Sequence, residues 1–580
     1  MLLGCMAIHA AKVNYTLSMP QPHTHYFEVE MTVEDAPADY VDLKMPVWAP
    51  GSYLVREFSR NVEGITASGN SSALKVEKLT KNTWRVHAKK AKSFTVKYKV
   101  YAFELSVRTS FVDASHGYVN GTSVFLFVDQ KLDASGSLKV VPFKDWKTIS
   151  TGLPAGAGFG EYTYANYDQL VDCPIEIGNH SEFEFTAAGV KHRVAMYGEG
   201  NYDVAKLKTD MAKIIQACTD VFGFNPNKEY VFIIHNLEVG SGGLEHSNST
   251  TLQVDRWTYE GRAYIGFLSL VAHEYFHLWN VKRIRPRELG PFDYENEVYT
   301  SLLWIMEGFT SYYDELLLLR AGFYTPEQYM KKIASSITSI ENQPGNRVLP
   351  LSEASMDAWI KLYRPNENSY NTTISYYTKG AVVAAMLDMK IIRATKGKKR
   401  LDDVLVYLYD TYYTKAKRGF TEAEAQKAFE EIAGESFEAF FNQYINGTEP
   451  LPYEDIASGI GITVERYKAA DDSPYLGVRT AGSGGKLTVQ MVVRNTSAYN
   501  SGLNVNDEII AVNGFRVDQD QMDAIVDAHK AGDTLEFLIA RGGLVMPLKV
   551  VLEPDPTREF VLQMGSKGMQ DPLIAKWLGK

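Results

Sequence analysis

The spacing of apolar residues changes period twice along this chain, and that change limits the fold more than any other feature of the sequence. Between Lys12 and about Phe185, Phe27, Val29, Met31 and Val33 interleave with Glu28, Glu30 and Thr32, and Phe94, Val96, Tyr98 and Val100 repeat the device. A period of two puts every second side chain on one face, so this region predicts half-buried antiparallel strands. Asn120-Gly121 and Ala134-Ser135-Gly136 supply turns between them. From about residue 200 the period becomes helical. Tyr202 to Gly223, Phe267 to Lys282, Pro326 to Asn342, Tyr377 to Thr395 and Leu401 to Tyr412 read as helices, with a strand at Tyr230 to His235. Thr421 opens a further helix, where Glu424 completes a capping box. Gly447 to Pro452 (GTEPLP) reads as a linker, and strands return after it.

The sequence therefore predicts a multidomain α+β chain, and 580 residues is more than one hydrophobic core usually supports. The expected division is an N-terminal antiparallel β-sandwich domain over 12–188, a mainly helical domain over 189–450, a third domain over 451–555 and a tail over 556–580. In the third, Tyr475-Leu476-Gly477-Val478 precedes a strand from Lys486 to Val493, and Ser501-Gly502-Leu503 leads into Asp507-Glu508-Ile509-Ile510-Ala511-Val512-Asn513-Gly514. This pattern, over about 458–555, resembles a PDZ domain, which implies a peptide C-terminus received by backbone N–H groups of residues 475–478 beside an open strand edge.

Composition narrows the function. The balance of 60 Lys+Arg against 70 Asp+Glu gives a net charge of −10 with no basic block, which argues against nucleic acid as a partner. No apolar run reaches membrane-spanning length. Cys5, Cys173 and Cys218 are too widely separated for a disulfide framework or a thiolate metal site, so a metal must rely on His and carboxylates. Residues 1–11 (MLLGCMAIHAA) read either as the remnant of a secretory signal or as an ordinary terminus. The first reading implies a periplasmic or secreted protein, the second a cytoplasmic one.

The chemistry concentrates at His273-Glu274-Tyr275-Phe276-His277. On a helix, positions i and i+4 share a face, so both imidazoles can reach one zinc ion, while Glu274 projects toward the place of a metal-bound water. A catalytic zinc needs a third protein ligand and an open position. Glu307, 30 positions after His277, begins a second helix and is that helix's only carboxylate before Asp314, which makes it the candidate third ligand. Asp314 and Glu315 suit either orientation of a zinc-bound histidine or a solvated helix face.

Trp304-Ile305-Met306-Glu307-Gly308-Phe309-Thr310 after the H-E-x-x-H motif resembles the gluzincin metallopeptidases, and the spacing matches the glycyl aminopeptidase family rather than the large aminopeptidases of that clan. Val47 to Phe58 (VWAPGSYLVREF) and Trp279 to Pro286 (WNVKRIRP) agree, and the likeness runs from about residue 12 to 555. It implies a thermolysin-like catalytic domain with one zinc ion per chain. Gly242-Gly243-Leu244-Glu245-His246 is similar to the Gly-x-Met-Glu-Asn element of gluzincin aminopeptidases, which implies that Glu245 pairs with a substrate's α-ammonium group and that Gly242 and Gly243 let the substrate backbone approach. Leu244 and His246 depart from the pattern. Tyr376-Tyr377-Thr378-Lys379-Gly380 resembles the clan's Tyr-x-Lys-Gly segment, implying that Tyr377 is a catalytic phenol, with Tyr376 its immediate competitor.

The expected function is a zinc-dependent aminopeptidase acting on peptides with a free N-terminus by attack of a zinc-bound water, Glu274 serving as base and then acid. Preference for small first residues such as Gly or Ala is implied by the resemblance alone. Two alternatives stand beside it: a thermolysin-like endopeptidase in which Glu245 binds no amine, and a non-catalytic PDZ scaffold with a peptidase-like body. The PDZ-like segment either captures a peptide C-terminus or packs on the catalytic domain as a lid.

Overall fold

A computed structural model of the chain describes residues 12–35 and 38–579, so the signal-remnant reading of residues 1–11 lies outside the described residues. The chain divides into two units. The first holds the described residues up to Val298 together with Leu408–Phe420, and the second holds Tyr299–Tyr407 and the chain from Thr421 onward.

The first unit opens with the β region that the alternation predicts. Its seven-stranded sheet runs Glu161–Tyr164, Gly136–Val141, Lys12–Ser18, Tyr26–Glu34, Ser93–Tyr101, Val62–Gly69, Ser72–Leu74. Phe27, Val29, Met31 and Val33 are buried, while on the other face Glu28 pairs with Lys99 at 2.7 Å and Glu30 with Lys97 at 2.8 Å. These cross-strand ion pairs are exposed and set register more than they add stability. Two four-stranded sheets complete the region, and all three share a core that includes Tyr15, Trp84, Phe125, Leu138 and Ile177. One pairing departs from the antiparallel expectation: Lys12–Ser18 runs parallel to Gly136–Val141.

The same unit contains a five-stranded sheet in the order Ser181–Ala187, Val190–Tyr197, Glu229–Leu237, Ser249–Asp255, Gly243–Glu245. Its central pairings are parallel and both outer pairings antiparallel. The expected division at 188/189 falls inside the first hairpin, whose turn residues Ala188 and Gly189 have φ of 47° and 74°. Two helices, Val204–Phe222 and Gly261–Phe276, pack with each other beside this sheet. Asp203 caps the first by accepting from Lys206 N, and Gly223 ends it in the left-handed region. A fully buried carboxylate ties the two β regions together. Glu176 accepts from His116 Nδ1 at 2.7 Å and His235 Nε2 at 2.9 Å. Burial alone would raise its pKa, but the two imidazoles hold it at about 2.

The second unit is helical, then β. Trp304–Gly308 forms one π turn that continues as Phe309–Arg320, followed by Pro326–Glu341, Thr378–Ala394 and Glu422–Ala433. Thr421 and Glu424 form the predicted capping box. Residues 474–552 contain a sheet in the order Val478–Ser483, Lys486–Val492, Glu508–Val512, Thr534–Arg541, Leu544–Val551, around a core that includes Leu476, Val489, Ile509 and Phe537. The segment expected as a tail is structured: Arg558–Met564 pairs with Ile462–Lys468, and Pro572–Leu578 is a helix whose Trp577 is fully buried and donates to Tyr312 Oη. Its short apolar stretches bury against the helices, which period alone does not reveal. Among the described residues no helix is long and apolar enough to cross a membrane.

Candidate active site

The Gly261–Phe276 helix carries both motif histidines toward one side, their rings 4.7 Å apart between centroids and nearly perpendicular. His277 Nδ1 donates to Asn280 O at 2.7 Å, which fixes the tautomer and leaves Nε2 with the lone pair that a metal requires. Tyr275 anchors the opposite face. Its hydroxyl meets His192 Nε2 at 2.9 Å and accepts from Asn225 Nδ2 at 2.7 Å, while Phe222 stacks on Trp279 at 4.9 Å. The helix is therefore held from behind, on the side away from the motif histidines. Two imidazole nitrogens on adjacent turns beside buried carboxylates form a donor set that suits zinc.

The edge strand Gly243–Glu245 lies against this helix. A Cβ at residue 243 would fall 2.6 Å from Glu274 Cγ and closer still to the carboxylate, so only glycine leaves room there for Glu274. Ligand atoms of Glu245, Glu274 and His277 lie within 4.8 Å of one another, and all three residues are buried. Gly242, at φ 112°, bends the chain into the strand, and its carbonyl accepts from Gln253 N at 2.9 Å. The outer side of the edge strand has no β partner among the described residues, which leaves it able to pair with an extended peptide. Leu244 is buried, and His246 turns away to Asp172. Burial would raise the Asp172 carboxyl, but Lys282 and His246 hold it well below the usual carboxylate range.

In the second unit, Glu307 sits in the π turn and is buried. Single π turns inside helices recur at functional sites because they re-aim one side chain. Gly308 and Gly380 bring the two helices together at backbone distance: a Cβ on Gly308 would fall 2.5 Å from Gly380 Cα and 2.8 Å from Tyr376 O. Tyr377 is the N-cap of Thr378–Ala394 and stacks on Tyr376 at 4.9 Å. Tyr376 is fully buried and Tyr377 half-buried. Asp314 is buried, and Glu315 pairs with Lys332 at 3.0 Å.

In the PDZ region, Tyr475 pairs with Glu553, Leu476 is in the core, and Gly477 packs so tightly on Thr496 that no side chain fits. The carbonyls of Leu476 and Gly477 accept from Ala498 N and Val493 N, and Val478 begins an edge strand.

Sequence reasoning missed two features. Asn280 O orients His277 from three residues on, a main-chain contact that no residue type announces. Gly51 lies against Glu245, and only its place in the Val47 to Phe58 segment hinted at a role.

Comparison with known proteins agrees with this arrangement. The family model for the Peptidase M61 N-terminal domain matches residues 14–179, that for M61 glycyl aminopeptidase matches 266–383, and that for a PDZ domain matches 474–552. An aminopeptidase N family protein from Idiomarina loihiensis has a crystal structure similar to this chain, with 30% identity, a TM-score of 0.91, and coverage of 98% of this chain and 100% of that one. An M1 zinc metallopeptidase from Deinococcus radiodurans, in a structure bound to Tyr-Ser-Ala, shares 15% identity at a TM-score of 0.50, covering 77% of this chain and 96% of that one. A second structure of an M1 zinc metallopeptidase from that organism shares 14% identity at the same TM-score and coverage. These last two likenesses are of fold. Curated protein sequences give no match. The HExxH helix, the glycine edge strand, the domain matches and the full-length relative together place this chain in the M61 glycyl aminopeptidase family, as a zinc metallo-aminopeptidase with a PDZ domain.

Proposed function

We propose that this enzyme removes N-terminal residues, small ones such as Gly or Ala preferred, from peptides that carry a free α-amino group. His273, His277 and Glu307 would hold one zinc ion per chain. The observation that carries the reading is the meeting of the edge strand with the HExxH helix, where Glu245 and Glu274 converge beside His277 and Gly243 lets the carboxylate of Glu274 approach. A peptide paired along Gly243–Glu245 directs its ammonium to Glu245, which anchors it by charge-assisted hydrogen bonds. An internal peptide segment would instead leave that carboxylate desolvated and unpaired, which disfavours endopeptidase action.

Bound zinc supplies Lewis acidity toward water and the scissile carbonyl. Glu274 takes the proton of the attacking water at its carboxylate and delivers it to the leaving amine. The Tyr377 hydroxyl donates a hydrogen bond to the carbonyl oxygen as that oxygen gains charge. Glu245 fixes which peptide bond is presented.

The PDZ domain has two readings, capture of a peptide C-terminus at residues 475–478 or permanent packing within the enzyme, and its bonds within its own unit bear on the second. Asn371 Nδ2 donates to Val492 O and Asn371 Oδ1 accepts from Arg494 N, both at 2.8 Å, while Asn342 bonds both main-chain groups of Arg558. These bonds support the packing reading.

The test is hydrolysis of a panel of free amino-acid anilides by the full-length protein before and after zinc is removed and restored. Zinc-dependent turnover highest for Gly or Ala anilide, abolished in Glu274→Gln, is expected. Turnover that survives metal removal, or a Glu274→Gln enzyme of undiminished activity, would overturn the reading.

A further inference from the structure

We infer that Gly51, in the N-terminal β region, is a positioning residue for amine recognition: it holds the Glu245 carboxylate in the orientation that meets a substrate's ammonium group. The inference rests on the proposed role of Glu245 and extends it to a second region of the chain.

Ala49-Pro50-Gly51-Ser52 is a tight turn closed by Ser52 N donating to Ala49 O at 3.0 Å. Proline at its second position and glycine at its third, with φ of 87°, are what a type II turn demands. The turn is rigidly mounted. Trp48 Nε1 donates to Asp293 O at 2.7 Å, Val47 N to Tyr294 O at 2.9 Å, and Arg56 Nη2 to Ser52 Oγ at 3.0 Å. Trp48 and Ser52 are fully buried, and Tyr53 stacks on Trp48.

What the turn presents is a bare Cα. A Cβ on residue 51 would lie 2.7 Å from Glu245 Oε1, 2.9 Å from Oε2 and 2.7 Å from Leu244 Cδ1. The turn therefore sits across both oxygens of the carboxylate, not beside one of them. A methyl group placed there would need the carboxylate to retreat by roughly half an ångström or more to reach ordinary contact. Glu245 is buried, with ligand atoms of Glu274 and His277 within 4.8 Å of its own, so it has little room to retreat without changing its aim. Glycine at 51 thus satisfies two demands at once, the left-handed backbone of the turn and the closeness of the carboxylate. The N-terminal β region takes part in choosing the substrate through this contact.

The experiment uses the zinc-loaded full-length enzyme and two competitive inhibitors that differ only in the amine, alanine hydroxamate and propanohydroxamate. In the wild type the first should bind more tightly, because only it can engage Glu245. Gly51→Ala is expected to raise the inhibition constant of alanine hydroxamate about tenfold and leave that of propanohydroxamate unchanged. A general loosening of the site would move both constants together, and that result, or no change in either, would overturn the inference. Should Gly51→Ala not accumulate, Pro50→Gly replaces it, since it frees the turn without adding an atom. The same selective loss, about threefold, is then expected, and a parallel change or none refutes the inference. Glu245→Ala separates the two claims. If it fails to bring the two constants together, the anchor reading falls; if it does so while the residue 50 and 51 variants keep the wild-type ratio, only the role of Gly51 falls.

Discussion

Replacing Gly243 by alanine adds one methyl group at the junction of the edge strand and the HExxH helix. The new Cβ would stand 2.6 Å from Glu274 Cγ and closer to its carboxylate, while ordinary contact begins near 3.4 Å. Because Gly243 has no positive φ, alanine is compatible with the backbone and the strain falls on Glu274. The carboxylate must then move by about 1 Å, away from the position it shares with Glu245 and His277. A misplacement of about 1 Å in a reacting group costs on the order of 10²-fold, or about 2.7 kcal/mol in the barrier. We expect kcat on alanine anilide to fall about a hundredfold. Bound zinc should be retained, because the added methyl meets Glu274 and not the imidazoles. Steady-state kinetics and metal analysis on the same preparation measure both. Gly266→Ala is the matched control. It lies in the same helix with nothing within 4 Å of a new Cβ, so it should leave kcat alone and stabilise the fold by about 0.5–1 kcal/mol. A Gly243→Ala enzyme with undiminished kcat would refute the placement of Glu274 as the base.

Other consequences follow from buried groups. Trp577→Ala removes a fully buried indole and its bond to Tyr312, and should cost about 3–5 kcal/mol in denaturant unfolding, so removing the C-terminal helix is not a neutral truncation. Burial, with Arg347 nearby, lowers the Lys379 amine to about 8. The folded chain then binds fewer protons than the unfolded one between pH 8 and the ordinary lysine range, so this group's contribution to stability rises across that window. Below pH 8 the buried charge costs up to roughly 3 kcal/mol, and Lys379→Met should recover part of that at pH 7 and flatten the alkaline rise. Glu176, at about 2, gives a slope of the same sign at acid pH, but its charged form stabilises the fold where that of Lys379 costs stability. Its stabilisation is complete above the ordinary glutamate range and is lost as pH falls from about 4.5 to 2, and Glu176→Gln should abolish that part of the acid slope in urea titrations.

Much of this protein is legible in the sequence where the deciding physics is local. His273 and His277 are readable because helical periodicity alone puts positions i and i+4 on one face, and the Tyr26–Glu34 strand because alternation alone separates its faces. The capping box at Thr421 and Glu424 is readable for the same reason. What depends on partners distant in sequence is not. Nothing in Lys12–Ser18 announces a parallel neighbour at Gly136–Val141, and the alternation on either side of residue 188 looks the same although the hairpin there belongs to a different sheet. The apolar residues of Pro572–Leu578 are too few to signal a buried helix until Tyr312 is seen beneath Trp577. The glycines teach the same lesson. In the sequence Gly243 reads as giving room to a substrate backbone and Gly51 only as part of the Val47 to Phe58 segment, yet each lies against a carboxylate from elsewhere in the chain, Glu274 for one and Glu245 for the other.

The measurement that reaches the central claim most directly compares one peptide in two forms, Ala-Ala-Phe-amide with a free N-terminus and the same peptide N-acetylated, incubated with the zinc-loaded enzyme and analysed by mass spectrometry. An enzyme whose Glu245 pairs with the substrate ammonium releases alanine stepwise from the free peptide and leaves the acetylated one intact. Efficient internal cleavage of the acetylated peptide would contradict the account.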